Sequence, residues 1–145
     1  MYSACTVWLI GPASAEFTAL AAAIEAAGGQ AHPLTPAGCG QWRERVAADA
    51  YRGPLPNLLF LDAELAYGHS DGHLEALLSE PPWMFLPLVV VARKGQGAGR
   101  GRAYTEGAAA WVTLPAEASV RADFFAHIAR YWVKTAVLPE LTLPL

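Results

Sequence analysis

Short apolar runs alternate along this chain with longer segments of helical periodicity, and nothing else in the sequence constrains the fold as tightly. Thr6-Val7-Trp8-Leu9-Ile10, ended by Gly11-Pro12, has the continuous apolarity of a strand covered on both faces. Ser14 then stands where a helix N-cap is needed, and Phe17, Leu20, Ala21, Ile24 and Ala27 recur at helical spacing until Gly28-Gly29. Gln30 to Leu34 reads as a second strand, placed at an edge because Pro33 cannot donate to a ladder. Gln41 to Tyr51, with Trp42, Val46 and Ala50 on one face, predicts a second helix closed by Gly53-Pro54 and Pro56. Asn57 to Asp62 is the third strand, and Asp71-Gly72 opens a third helix carrying Leu74, Leu77 and Leu78 that Pro81-Pro82 ends.

Leu86 to Ala92 is a fourth apolar strand. The stretch from Arg93 to Arg102 holds four glycines in ten residues, each costing about 1 kcal/mol relative to alanine inside a helix. A mobile loop is expected there, followed by a short fourth helix ending near Gly107. Ala109 to Thr113 gives the last strand, and Val120, Phe124, Ile128 and Trp132 predict the buried stripe of a long final helix. Five such βα units imply one parallel sheet with right-handed crossovers and helices on both faces.

A length of 145 residues suits one domain, expected over residues 1–135. Residues 136–145 are apolar but broken by Pro139 and Pro144, so they read as a linker or attachment segment. A net charge of -3 and a pI near 5.7 argue against direct nucleic-acid binding by the domain. No apolar run approaches a membrane span and the N-terminus lacks the basic start of a signal peptide, so a cytoplasmic location with no membrane contact is expected. Cys5 and Cys39 have neither CxxC nor zinc-ligand spacing and read as reduced thiols.

Asp62 closes the third strand. A carboxylate at that end points into the crevice where open α/β sheets place their chemistry. His69 and His73 with Asp71 between them have the look of a metal cluster, but no further ligand stands at supporting spacing, and a surface turn is the simpler reading. Arg93, Lys94, Arg100 and Arg102 could bind an anion, since arginine pairs with phosphate and glycine lets backbone approach closely. That loop lacks the GK[ST] ending of a phosphate-binding loop, and a solvated flexible loop is the simpler reading. No Ser/His/Asp or Cys/His nucleophile arrangement is visible, so no enzyme is expected.

Two segments resemble the receiver domain of bacterial two-component response regulators. Leu58-Leu59-Phe60-Leu61-Asp62, followed by Asp71-Gly72, looks like the strand bearing the family's phosphoacceptor aspartate and the turn after it. Glu106-Gly107-Ala108-Ala109-Ala110-Trp111-Val112-Thr113-Leu114-Pro115 looks like the family's stretch of Gly-Ala, two residues, aromatic, aliphatic, Thr, Lys and Pro. The resemblance implies a flavodoxin-like (CheY-like), doubly wound, five-stranded parallel sheet. It puts Trp111 at the family's switch aromatic, where packing against a neighbouring helix is expected of so large a ring.

The departures decide the expected function. The family's acidic pair after strand one corresponds to Gly11 and Pro12, its hydroxyl after strand four to Ala92, and its lysine to Leu114. Magnesium usually takes more than one protein carboxylate, so Mg²⁺ binding is not expected and no cofactor is implied. Phosphoryl transfer needs positioned cations and donors, so Asp62 should be an inactive phosphoacceptor. The expected function is that of a degenerate receiver, or pseudo-receiver: a regulatory module, part of a transcription regulator or multidomain signalling protein, acting by protein recognition. Its partner would be another protein or a second copy, through the surface of the family's fourth helix, fifth strand and fifth helix. The alternatives are an anionic-nucleotide sensor at loop 93–102 and an atypical receiver still phosphorylated on Asp62.

Overall fold

Five parallel strands form one sheet: β1 (Thr6–Ile10), β2 (Gln30–Leu34), β3 (Leu58–Asp62), β4 (Leu88–Ala92) and β5 (Ala110–Thr113), in the spatial order β2-β1-β3-β4-β5. The computed structural model describes residues 5–47, 55–64, 83–97, 100–136 and 138. Among them are four helices, α1 (Ala15–Ala26), α2 (Pro36–Ala47), α3 (Arg100–Glu106) and α4 (Ala118–Arg130), with a 3₁₀ turn at Trp83–Phe85 and a π-helical turn at Tyr131–Thr135. The third helix expected from Asp71 and most of the tail expected at 136–145 lie outside the described residues, as do His69, Asp71 and His73. No described helix is long and apolar enough to cross a membrane.

The doubly covered sheet explains why β1, β3 and β4 are buried throughout and almost wholly apolar, since successive side chains point to opposite faces. Trp8, Ile10, Leu59, Leu61, Leu88 and Val90 pack with Cys39 of α2, Ala103 of α3 and Trp83. Val7, Leu9, Leu58, Phe60, Val89 and Val91 pack on the other face against Phe17, Leu20 and Ile24 of α1 and Phe125 and Ile128 of α4. In β2, Gln30 and Pro33 are exposed, as an edge strand allows.

Three differences from expectation have a local reason. Helix α2 begins at Pro36 and not at Gln41. Thr35 caps it, its Oγ1 accepting from the Gly38 amide at 3.0 Å, and proline suits the first helical position; this start outweighs the glycines at 38 and 40. The segment after β4 is a tight turn and not a mobile loop at its start: Gln96 donates its amide to the Arg93 carbonyl at 3.0 Å, and its Oε1 accepts from the Arg93 amide at 2.7 Å. Gly95, at φ 92°, permits that turn, and α3 is already helical from Arg100.

The third difference concerns α4. Phe125, Ile128 and Ala129 are its buried residues, whereas Val120 is 45% exposed and Phe124 and Trp132 are partly covered. A row of strict i+4 steps turns about 40° around the axis at each step, so the predicted stripe crosses the core at Ile128 and lies outside it at Val120.

Candidate functional site

Side-chain parity brings the site together. Asp62 has the parity of Leu58 and Phe60, which face α1 and α4, and Gly11 continues that of Val7 and Leu9 toward the same face. Arg93 stands two residues beyond Val91, the residue in register with Asp62. A strand-end carboxylate and a guanidinium from the next strand therefore meet under the first turn of α1.

Asp62 is buried, with 1% exposure. Its Oδ2 accepts from Arg93 Nη1 at 3.1 Å and its Oδ1 from the Glu64 amide at 2.9 Å. Arg93 Nε donates to Glu16 Oε1 at 3.2 Å, so one guanidinium bridges two carboxylates. Arg121 of α4 approaches the same Glu16 oxygen at 3.8 Å. Its own Nε donates to the Pro115 carbonyl at 2.8 Å. Alternating charges thus run from β3 through β4 and α1 to α4.

The electrostatics follow from that order. Glu16 lies below the ordinary carboxylate range, first because a backbone amide in the helix's first turn donates to it, then because of the bond and charge of Arg93; Arg121 adds a smaller pull and partial burial works against these. Burial opposes the charge on Arg93, but the bonds and charges of Glu16 and Asp62 outweigh it and hold its pKa above the ordinary value. Burial alone raises the Cys5 thiol.

The positions expected to be degenerate surround this cluster. A Cβ built on Gly11 would overlap Phe17 Cε2 and stand 3.0 Å from Asp62 Cβ, so the ring of Phe17 takes the space a carboxylate would need there. Pro12 is exposed and borders a small apolar cleft with Leu9, Phe17 and Leu34. Ala92 is buried in the cluster on the opposite face, and Leu114 is buried in the core shared with α4. Trp111 packs against the first cluster, and its backbone amide donates to the Tyr104 hydroxyl at 3.0 Å.

The residues present do not fit a divalent cation. Asp62 meets a guanidinium, positions 11 and 12 offer no carboxylate, and among the described residues no group of three or more His, Cys, Asp or Glu could hold a metal ion. Of the four basic residues expected to bind an anion together, Arg93 is turned inward to the two carboxylates, while Lys94 and Arg100 are exposed. The side chain of Arg102 lies outside the description.

No family model matches the chain, and no curated protein matches it. Solved structures do. The chain is similar to the phosphorylated cyanobacterial phytochrome response regulator RcpA, with a TM-score of 0.76 at 20% identity over 95% of this chain and 100% of that one. It is similar to the Mn²⁺-bound form of the response regulator Rcp1, with a TM-score of 0.75 at 15% identity over 93% and 99%. A response regulator receiver domain from Rhodospirillum rubrum gives 0.73 at 18% identity over 93% and 97%. The fold is that of receiver domains. Asp62 and Ala92 are the last residues of β3 and β4, and Gly11 and Leu114 directly follow the last residues of β1 and β5.

Glu16, Arg121 and the inward role of Arg93 were missed from the sequence. Parity could have found Arg93, because it continues the Val89, Val91 series toward the face of Asp62. Glu16 and Arg121 meet only through the packing of α1 on α4, which no local pattern encodes.

Proposed function

We propose that this receiver-fold domain is a phosphorylation-independent regulatory module that works by protein recognition and not by catalysis. One observation carries the reading: the Oδ2 of Asp62, where a phosphoacceptor must attack, is bound by the Arg93 guanidinium. The closure of position 11 by Phe17 and the burial of Leu114 in the core support it, since they occupy the places where a metal ligand and a lysine would act. Arg93 is the wrong cation for transfer, because its charge is shared between two carboxylates and it sits on the nucleophile.

Recognition would use the face of α3, β5 and α4, with a partner protein or a second copy. Tyr104 on α3, Val120 on α4 and Tyr131 just beyond it are large hydrophobic side chains left about half exposed. The domain would act in the cytoplasm as part of a transcription regulator or multidomain signalling protein, without touching nucleic acid itself and without a cofactor.

Incubation with acetyl phosphate and Mg²⁺, read by intact mass beside an active receiver, should give no adduct. A stoichiometric phosphoryl adduct that disappears in Asp62→Ala overturns the reading. Sedimentation from micromolar concentrations upward tests self-association, and Tyr104→Ala and Tyr131→Ala should weaken any dimer found.

A further inference from the structure

Helix α1 is capped by Ser14, whose Oγ accepts from the Phe17 amide at 3.1 Å, whereas α4 begins at Glu117 with no side-chain cap. An uncapped N-terminus leaves its first amides and the preceding turn without a local hold. Arg121 supplies one from inside the helix. Its Nε donates to the Pro115 carbonyl at 2.8 Å and Nη2 reaches the Ala116 carbonyl at 3.5 Å, tying the β5–α4 turn back to the helix that follows it.

Ala15 and Ala19 of α1 face Ala118 and Ala122 of α4 across a groove of about 220 Å³, with Glu16, Arg121 and Phe125 completing its lining. These short side chains leave the groove largely unfilled, and the Glu16–Arg121 pair is a polar contact that spans it at 3.8 Å. Glu16 is itself oriented by Arg93, and Arg93 by Asp62.

We propose that Arg93 and Glu16 form a fixed charge link through which Asp62, at the end of β3, positions Arg121 and with it the β5–α4 turn and the first turn of α4. It rests on the reading of Asp62 as a structural carboxylate. Glu16 and Arg93 are positioning residues in this scheme. The link runs along the sheet face through ion pairs, and it needs neither a hydroxyl at position 92 nor movement of Trp111. A regulator built this way would hold α4 in place until a partner drew Glu16 or Arg121 away.

Amide exchange by mass spectrometry on the whole chain tests it, following peptides that cover residues 114–121. Asp62→Asn, with no direct contact to that segment, should speed its exchange about fivefold, the factor that corresponds to roughly 1 kcal/mol. Glu16→Gln should do the same, and the double variant should exchange no faster than either single one, because both cut the same link. Exchange in β1 serves as the control for global loosening, and Glu16→Gln leaves the Asp62–Arg93 pair in place should Asp62→Asn fold poorly. Unchanged exchange at 114–121 in Glu16→Gln, or strictly additive effects, overturns the proposal. A phosphoryl adduct on Asp62 would sink the underlying reading instead, and intact mass reads that separately.

Discussion

The ring of Phe17 fills the space that any side chain at Gly11 would enter, so an acidic residue there would require that ring to shift. Gly11→Asp should therefore destabilise the domain by about 1–3 kcal/mol, the usual cost of overpacking, without creating Mg²⁺ binding. Gly11→Asp with Phe17→Ala should recover part of the steric loss. Urea denaturation and calorimetry with Mg²⁺ check both, and tight Mg²⁺ binding by Gly11→Asp alone would contradict the steric account.

Arg93→Met should cost about 1–3 kcal/mol, because it strands an oxygen of a buried carboxylate while keeping the apolar stem of the side chain. Water reaches Arg93, whose side chain is 33% exposed, so the larger losses seen for fully buried pairs do not apply. Asp62→Asn in the Arg93→Met background should cost less than in the parent. A denaturation double-mutant cycle measures the coupling, and a coupling near zero would mean that the pair adds nothing.

Acid should weaken the fold partly through Glu16. Its folded pKa is lowered below the ordinary 4.5, first by the backbone amide and then by Arg93. The unfolded chain takes up the proton first, so the stabilisation is complete above 4.5 and is lost as the pH falls through the folded value. Glu16→Gln should be less stable than the parent at neutral pH and converge with it in acid. Denaturation midpoints between about pH 3 and 7 test the sign; curves that diverge in acid would reverse it.

Phe125→Ala should cost about 3–5 kcal/mol, as for other buried aromatic truncations. Val120→Ala, at an exposed position, should stay within about 0.5 kcal/mol. Thermal melts of the two variants distinguish the observed stripe from the one read off the sequence.

That stripe shows where sequence reasoning stops. The strands were legible because burial on both faces writes itself as continuous apolarity, and helix α1 because Ser14 and Gly28 mark its ends. Helix α2 was cut short because the glycines at 38 and 40 obscured the Thr35-Pro36 start. The carboxylate at the end of β3 was also legible. What surrounds it was not: Phe17 and Arg93 are ordinary core and loop residues in the sequence, and their meeting at Asp62 depends on strand register and on how α1 lies across β1.

The Tyr104 hydroxyl on the Trp111 amide bears on how copies of the chain could meet. Strand β5 ends the sheet, and an outward backbone N–H on such a margin is a template for another chain's strand. Here that donor is already taken by the side chain of the neighbouring helix. A peptide adding itself to the sheet at this point of the margin would first have to displace the phenol.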